Sequence, residues 1–303
     1  MKHWDMKKPL VTIAIPTYNR ADRYLSETLE SALNQTYENL EILVSDNCST
    51  DRTPDLVKSY SDPRINYIRQ EENLGQRGNM NFLVDKAAGD FFLMLHDDDQ
   101  IDPDFIETCI SAAGHKAGAG LVLTGARVID KDGQTLREKE NLAGGMSAEK
   151  LVLFWYQKRV HMFFCCSLFG TQALREAGGF QEKYGKYDDV AAEFQCAASH
   201  GRIDIQAVKA SFREHPGSGT TASSLNSWCT SSLALLELAC KLAPSKKREL
   251  KKFGTKTSAE RIYRYASESD SFRERLKGYW IVFRQFKFLQ PPPRKYLSKL
   301  IGH

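Results

Sequence analysis

The stretch Leu93-Met94-Leu95-His96-Asp97-Asp98-Asp99-Gln100-Ile101-Asp102-Pro103 places three consecutive carboxylates one residue after a short apolar run. An apolar run of this length, bounded by polar residues, predicts a buried strand. Three adjacent negative charges repel one another unless a cation lies among them, and Mg²⁺ or Mn²⁺ prefers such hard oxygen ligands. A solvated acidic turn before a helix at Pro103 is the alternative, since Asp102 and Asp104 favour a helix N-terminus. The triplet alone leaves both interpretations open.

Around this stretch, short apolar runs alternate with amphipathic segments. The predicted strands are 10–15, 40–44, 65–68, 91–95 and 121–129, and the predicted helices are 23–33, 53–60, 79–88 and 105–113. This alternation, with strands apolar on both faces, predicts an α/β fold with a mainly parallel sheet. Ligands of such sheets bind beyond the carboxyl ends of the strands. Polar clusters follow four of the predicted strands, at 16–20, 46–47, 73–75 and 97–99. We therefore expect one ligand site at this edge.

Charge is distributed unevenly along the 303 residues. The net charge is +4, yet residues 241–303 hold 17 Lys and Arg against five Asp and Glu. A chain of this length has room for two modest domains. Since the helical, basic character begins near residue 220, we predict a catalytic domain at 1–220 and a basic, aromatic-rich helical region at 221–303.

The sequence also indicates the cellular compartment in which the protein is expected. No apolar run approaches the roughly 18 residues of a membrane span, and the N-terminus lacks a signal-peptide core. The seven cysteines are scattered and form no Cys-x-x-Cys motif. This pattern is typical of reduced thiols and disfavours a zinc or disulfide framework. We expect a cytoplasmic protein.

The motifs, taken together, resemble those of the inverting nucleotide-sugar glycosyltransferases of family 2. The residues that carry the resemblance are 11–20 (VTIAIPTYNR), 33–37 (LNQTY), 44–51 (VSDNCSTD), 73–75 (NLG) and 95–103 (LHDDDQIDP). The resemblance covers roughly residues 8–220 and implies a GT-A-type, Rossmann-like fold followed by a C-terminal helical region. It implies transfer of a sugar, from a UDP-sugar foremost, to a hydroxyl of a glycan or lipid-linked acceptor in cell-surface polysaccharide synthesis.

The resemblance also implies a nucleotide pocket. Its residues would be Pro16, Thr17, Tyr18, Asn19, Arg20, Asp46, Arg77 and Asp97. The segment 16–20 would form the pocket floor, Asp46 would accept a hydrogen bond from the base, and Arg77 would meet phosphate. Alternatively, Asn19 caps a helix and Asp46 caps the turn at 49–51.

The acidic stretch departs from the Asp-x-Asp of the family, because His96 stands where the first aspartate is usual. The resemblance then makes Asp98 the ligand of Mn²⁺ or Mg²⁺ and of the diphosphate, with Asp97 or Asp99 assisting. The late segment 212–218 resembles the family's returning loop. There His215 would complete the metal shell, and Arg213 or Ser218 would bind phosphate.

A second acidic pair matches the family's catalytic base. Segments 176–180 (EAGGF) and 186–189 (KYDD) resemble a Gly-Gly-Phe motif followed by the acidic pair. Asp189 would take the proton from the acceptor hydroxyl, and Asp188 matches the glutamate before the base. Alternatively, both residues cap a helix that runs to His200.

The basic region also interleaves aromatic residues. These are Tyr263, Phe272, Tyr279, Trp280, Phe283, Phe286, Phe288 and Tyr296. Such a pattern suits an anionic membrane surface and would place the enzyme on the cytoplasmic leaflet. A helical subdomain with packed aromatics fits the sequence equally well. No nucleic-acid recognition module is evident, so we expect no nucleic-acid partner.

Two other functions are weighed against the glycosyltransferase. A nucleotidyltransferase would need a glycine-rich basic loop after the first strand, which residues 16–19 are not. A catalytically inactive nucleotide-binding or membrane-associated scaffold would have lost its acidic positions. Both acidic clusters are present, so the metal-dependent glycosyltransferase is favoured.

Overall fold

The parallel strands follow one another in the order that the apolar runs predict. The strands are β1 (Val11–Thr17), β2 (Leu40–Asp46), β3 (Ile65–Arg69), β4 (Phe91–Met94), β5 (Gln100–Ile101), β6 (Leu121–Ile129), β7 (Thr135–Lys139), β8 (Ser167–Gly170) and β9 (Arg202–Arg213). The helices are α1 (Leu25–Leu33), α2 (Thr53–Lys58), α3 (Gly75–Lys86), α4 (Phe105–Ala112), α5 (Ala148–Tyr156), α6 (Thr171–Glu176), α7 (Asp188–Ser199), α8 (Leu225–Leu242), α9 (Lys247–Ser267) and α10 (Phe272–Gln285). The computed structural model describes residues 8–114, 118–215, 224–269, 271–287, 290–294 and 296.

The chain divides into two compact units. Unit 1 comprises Met1–Met146, His161–Phe180 and Gln195–Pro216, and unit 2 comprises Ser147–Val160, Gln181–Phe194 and Gly217–His303. Unit 2 thus takes in two segments that precede residue 220. The functional division into a catalytic domain at 1–220 and a helical region at 221–303 stays a prediction.

Unit 1 is built on a mixed sheet with the order β3-β2-β1-β4-β8-β6-β9-β5, and β7 pairs with β6. The strands β3, β2, β1 and β4 pair in parallel with one another, whereas β8 is antiparallel to both β4 and β6. The predicted α/β fold of the GT-A type is confirmed. The predicted parallel pairing holds for its first four strands, and the sheet is mixed beyond β4.

Burial on both faces explains the continuous apolar runs of the central strands. Val11, Ile13 and Ile15 of β1 are fully buried, as are all four residues of β4. The parallel register pairs Thr17 with Asp46 at the ends of β1 and β2. The carboxyl ends of these strands therefore meet at one edge of the sheet, with the polar clusters that follow them.

One long strand, β9, is not predicted from the sequence. It pairs in parallel with β6, bringing Arg213 opposite Ile129, and antiparallel with β5, bringing Ser211 opposite Gln100. These pairings join residues that are about 80 and about 110 positions apart in the chain, so no local sequence pattern predicts them. The strand carries Arg213 back to the acidic stretch after β4.

Unit 2 is helical around α8, α9 and α10. Leu235, Ile262, Tyr263 and Val282 from these three helices are buried. Serine side chains at 224 and 271 accept hydrogen bonds from first-turn N–H groups, which is the usual N-cap interaction. Within the described part of the chain, no helix is long and apolar enough to cross a membrane.

Candidate active site

The loop after β1 is held by hydrogen bonds to the loop after β2. The Asn19 N–H donates to Ser49 Oγ (2.9 Å), and Asn19 Oδ1 accepts from the Thr50 N–H (2.8 Å). The Arg20 N–H donates to Thr53 Oγ1 (2.9 Å). Asn19 has a φ of 55°, in the left-handed region that Asn tolerates better than most residues. The segment 16–20 is therefore the end of β1 followed by a fixed loop, rather than the start of a helix capped by Asn19.

Asp46 lies fully buried at the end of β2. Its Oδ1 accepts from the Ser49 N–H (2.8 Å), and its Oδ2 accepts from the Tyr67 hydroxyl (2.6 Å). Burial and this hydrogen bond raise the pKa of Tyr67 well above its usual value. The structure thus gives Asp46 the turn-capping contact named as its alternative role. The contact to a base stays a prediction.

The third polar cluster is tied to the second by paired asparagines. Asn47 Nδ2 donates to Asn73 Oδ1 (2.9 Å), and Asn47 Oδ1 accepts from the Leu74 N–H (2.8 Å). Arg77 lies half-buried in the first turn of α3, directly after this cluster. The loops after β1, β2 and β3 therefore form one hydrogen-bonded edge.

The acidic stretch follows β4 as a tight turn, in which the Asp99 N–H donates to the His96 carbonyl (3.1 Å). Asp97 forms an ion pair with Arg20, with 3.5 Å between Oδ1 and Nε. Burial and the neighbouring Asp98 raise the pKa of Asp97 to about 6, and Arg20 opposes this shift. Two predicted nucleotide-binding residues, Arg20 and Asp97, are thereby brought into contact.

Three side chains of this turn converge. His96, Asp98 and Asp99 each offer one ligand atom, and these atoms all lie within 4.8 Å of one another. Asp99 is buried, and its burial and Asp98 raise its pKa well above the usual range. Two carboxylates and an imidazole are a donor set that suits a divalent cation such as Mn²⁺. The residues present therefore fit the predicted metal.

His215 reaches the same turn from the residues after β9. Its Nε2 lies 3.0 Å from Asp98 Oδ2, and its ring packs 5.0 Å from the Tyr24 ring, between centroids. The predicted metal residues Asp98, Asp99 and His215 are thus brought together. In the structure His215 contacts Asp98 directly, so it also orients that carboxylate.

Arg213 contacts the acidic turn through both its backbone and its side chain. Only 1% of its surface is exposed. Its backbone N–H donates to Asp99 Oδ1 and its Nε to the Asp98 carbonyl, both at 2.9 Å. Its Nη2 donates to Glu27 (2.5 Å), and its guanidinium lies 4.3 Å above the Tyr24 ring. These partners make Arg213 a positioning residue rather than the phosphate ligand expected from the sequence. Ser218, the other expected phosphate ligand, lies outside the described residues.

Asp188 and Asp189 begin α7, and each side chain accepts a hydrogen bond from the N–H of the residue that follows it. Asp188 Oδ1 accepts from the Asp189 N–H (3.0 Å), and Asp189 Oδ1 accepts from the Val190 N–H (2.7 Å). Burial, with a smaller contribution from Asp188, raises the pKa of Asp189 to about 7, whereas Arg261 lowers it. A carboxylate with such a pKa is suited to accept a proton near neutral pH.

Arg261, on α9, stands within an aromatic cluster of unit 2 that includes the residue before the acidic pair. Its guanidinium carbon lies 5.4 Å from the Trp155 ring centroid and 5.5 Å from that of Tyr187. Tyr187 is itself packed edge-on against Trp228, at 5.5 Å between centroids. Part of the basic C-terminal region therefore packs within unit 2, and the positive charge of Arg261 lowers the pKa of Asp189.

Two residues of these clusters were not predicted. The sequence shows His96 only as a departure from Asp-x-Asp. Its position is nevertheless a signal, because an imidazole at an aspartate position can still donate to a metal. Arg261 offered no signal, since one arginine in a basic helix looks like its solvated neighbours.

The fold is of the GT-A type that the resemblance implied. The profile of Glycosyl transferase family 2 matches residues 12–178, more than half of the chain. The chain belongs to this family and is a glycosyltransferase, as its resemblance implied.

Curated relatives support this assignment. An uncharacterized glycosyltransferase of Methanocaldococcus jannaschii is 28% identical over 66% of this chain and 69% of its own. A putative teichuronic acid biosynthesis glycosyltransferase of Bacillus subtilis is 33% identical over 45% of this chain and 53% of its own. A GalNAc(5)-diNAcBac-PP-undecaprenol beta-1,3-glucosyltransferase of Campylobacter jejuni is 34% identical over 43% and 42%. The matched regions thus span about half the length of the Bacillus subtilis and Campylobacter jejuni enzymes.

Solved structures share the fold over nearly the whole chain. S. aureus TarS 1–349 in complex with UDP-GlcNAc has a TM-score of 0.61 at 12% identity, covering 92% of this chain and 89% of that one. The mannosyltransferase PcManGT from Pyrobaculum calidifontis, in complex with GDP-Man and Mn²⁺, has a TM-score of 0.55 at 16% identity, covering 99% and 89%. At these identities the likeness concerns the fold.

Proposed function

We propose that this protein is a metal-dependent, inverting glycosyltransferase that moves a sugar from a UDP-sugar to a hydroxyl of a glycan or lipid-linked acceptor in cell-surface polysaccharide synthesis. The observation that carries the proposal is the acidic turn at the end of β4. There His96, Asp98 and Asp99 converge, and Arg20 of the first loop pairs with Asp97. The UDP-GlcNAc complex of TarS supports a uridine nucleotide.

Asp98, Asp99 and His215 would hold Mn²⁺ or Mg²⁺, with His96 as a further donor. The cation would supply neutralisation of the charge that develops on the departing diphosphate. Imidazole donors suit Mn²⁺ better than Mg²⁺, which coordinates oxygen almost exclusively. The Mn²⁺ in the PcManGT complex agrees with this preference.

The donor nucleotide would lie on the fixed loop Pro16, Thr17, Tyr18, Asn19 and Arg20. Tyr18 is exposed there, so its ring is available to a ligand, whereas Thr17 is buried. The Arg20–Asp97 pair would orient the ribose or phosphate, Arg77 would meet phosphate, and Asp46 would contact the base while it fixes the turn at 49–51.

Asp189 would act as the base in a single displacement. Its carboxylate would take the proton of the acceptor hydroxyl, whose oxygen attacks the anomeric carbon from the face opposite the leaving diphosphate. Inversion at that carbon follows. Asp188, which accepts from the Asp189 N–H, would hold the base in place.

A location in the cytoplasm, at the inner face of the membrane, is part of the proposal. A lipid-linked acceptor would be held there, and the name of the Campylobacter jejuni relative gives an undecaprenol-linked acceptor for that enzyme. The 17 basic residues against five acidic ones in residues 241–303 would favour an anionic surface.

The test is a thermal-shift panel of UDP-, GDP-, dTDP- and CMP-sugars, each with Mn²⁺, with Mg²⁺ and with neither. A ligand that binds only the folded state raises the melting temperature. We expect the largest shift with a UDP-sugar and Mn²⁺, a smaller one with Mg²⁺, and none for Asp98→Asn. Asp132→Asn, at an exposed carboxylate in the β6–β7 turn, is the matched control and should keep the shift.

Two outcomes would contradict the proposal. If the donor raises the melting temperature equally with and without a metal ion, donor binding does not require the cation. A folded protein that shifts with none of the donors would favour the inactive scaffold.

A further inference from the structure

The helix α10 presents large apolar side chains to solvent. Phe272 is 51% exposed, Leu276 51% and Trp280 57%. They are spaced four residues apart, so successive side chains lie on the same face of the helix. At about 100° of rotation per residue, the three positions fall within an arc of about 80°. We call this set the α10 stripe.

The α10 stripe is distinct from the packing face of the same helix. Tyr279, Val282 and Phe286 of α10 are buried. Gly278 lies so close to its neighbours that a Cβ there would come within 3.0 Å of Ala266 and 2.9 Å of Leu225. The helix is therefore docked by one face, and its exposed apolar face is not needed for that docking.

The aromatic residues of the basic region thus differ in burial. Tyr263, Tyr279, Phe286 and Tyr296 are buried, Phe283 is half-buried, and Phe272 and Trp280 are exposed. Phe288 lies outside the described residues. Packing within a helical subdomain accounts for the buried residues, whereas about half of the surface of Phe272 and of Trp280 remains in contact with solvent.

Basic side chains border the α10 stripe. Arg273, Lys277 and Arg284 are exposed and fall in the adjoining arc, about 100° to 140° around the helix. Glu274 is the one acidic residue in α10. An apolar face with cations beside it matches the boundary between phosphate headgroups and acyl chains. A second copy of the chain would instead bring two basic faces together, which charge repulsion opposes.

We propose that the α10 stripe inserts into the interface of an anionic phospholipid membrane, while Arg273, Lys277 and Arg284 contact the headgroup phosphates. The proposal deepens the membrane location proposed above and does not depend on the transferase reaction.

The experiment is co-sedimentation of the full chain with vesicles of phosphatidylcholine, with and without phosphatidylglycerol, at low and high salt. We expect binding to vesicles that contain phosphatidylglycerol and its loss at high salt. The triple variant F272S/L276S/W280S should bind at least tenfold more weakly. The matched control L136S/L142S removes two side chains of unit 1 that are equally exposed, at 54% and 59%, and should bind as the wild type does.

A charge variant, R273Q/K277Q/R284Q, should also weaken binding, by about fivefold for each charge removed. If this variant loses binding while the triple serine variant keeps it, insertion of the stripe is excluded. Equal binding to neutral vesicles, or no binding to either, overturns the proposal, as does a triple serine variant that changes only the oligomeric state.

Melting temperatures and donor thermal shifts of all variants separate the two proposals. We expect both to be unchanged, since every altered side chain is exposed. Absent vesicle binding with an intact donor shift refutes the membrane surface alone. Absent donor shift with intact vesicle binding refutes the donor site alone.

Discussion

Two pairs of neighbouring aspartates, Asp98–Asp99 in unit 1 and Asp188–Asp189 in unit 2, are alike in sequence and differ in what holds them. The first pair is fixed by Arg213 and His215, more than a hundred residues away along the chain. The second accepts hydrogen bonds from the N–H groups of its own helix, at Asp189 and Val190. The first arrangement gathers ligand atoms, and the second leaves a carboxylate whose raised pKa favours proton transfer. The surroundings therefore decide the chemistry of an acidic pair.

The largest expected effect comes from removing the charge of the second pair. Asp189→Asn should lower kcat by about 10²- to 10⁴-fold, because general-base catalysis contributes that much. The donor thermal shift should persist, since the substitution leaves the first pair intact. Steady-state turnover with a UDP-sugar measures the first effect. Glu182→Gln, at an exposed acid nearby, is the control, and a comparable loss there would argue against a specific role for Asp189.

A smaller effect tests whether the first pair depends on its distant support. Arg213→Met removes hydrogen bonds to Glu27 and to the Asp98 carbonyl, and should lower the free energy of unfolding by about 2 kcal/mol. It should also weaken the metal-dependent donor shift. Urea denaturation followed by circular dichroism measures the stability.

The matched control is Arg137→Met, because Arg137 forms an ion pair with Glu214 at the surface. Exposed pairs contribute little, so we expect a loss below about 1 kcal/mol. Equal losses in the two variants would show that the buried arginine has no special part in the turn.

The smallest effect concerns pH. Only the ionised Asp189 can accept a proton, so kcat should fall as pH drops below about 7. The positive charge of Arg261 lowers the Asp189 pKa, whereas burial and Asp188 raise it. Arg261→Met should therefore move this fall in kcat to higher pH and cost activity several-fold at neutral pH, and Arg261→Lys should largely restore the profile. If the pH dependence of kcat is unchanged in Arg261→Met, Arg261 of α9 does not influence the ionisation of Asp189.

The order of strands and helices in the first half of the chain was predicted from the sequence, and so was the family. Apolar runs such as 91–95 and motifs such as 16–20 are local, and hydrophobic periodicity with turn chemistry suffices to place them. The loop after β1, the acidic turn and the start of α7 were found for this reason, close to their observed bounds.

The sequence by itself determined which residues are ionisable and roughly where each element of the first half of the chain begins and ends. Only the tertiary structure decided that β9 brings Arg213 and His215 to the turn after β4, and that His96 joins its carboxylates. It also decided which aromatics of the basic region are core and which form the α10 stripe. Pairings between residues far apart in the chain, and the face by which a helix docks, depend on what lies opposite, which no local pattern records.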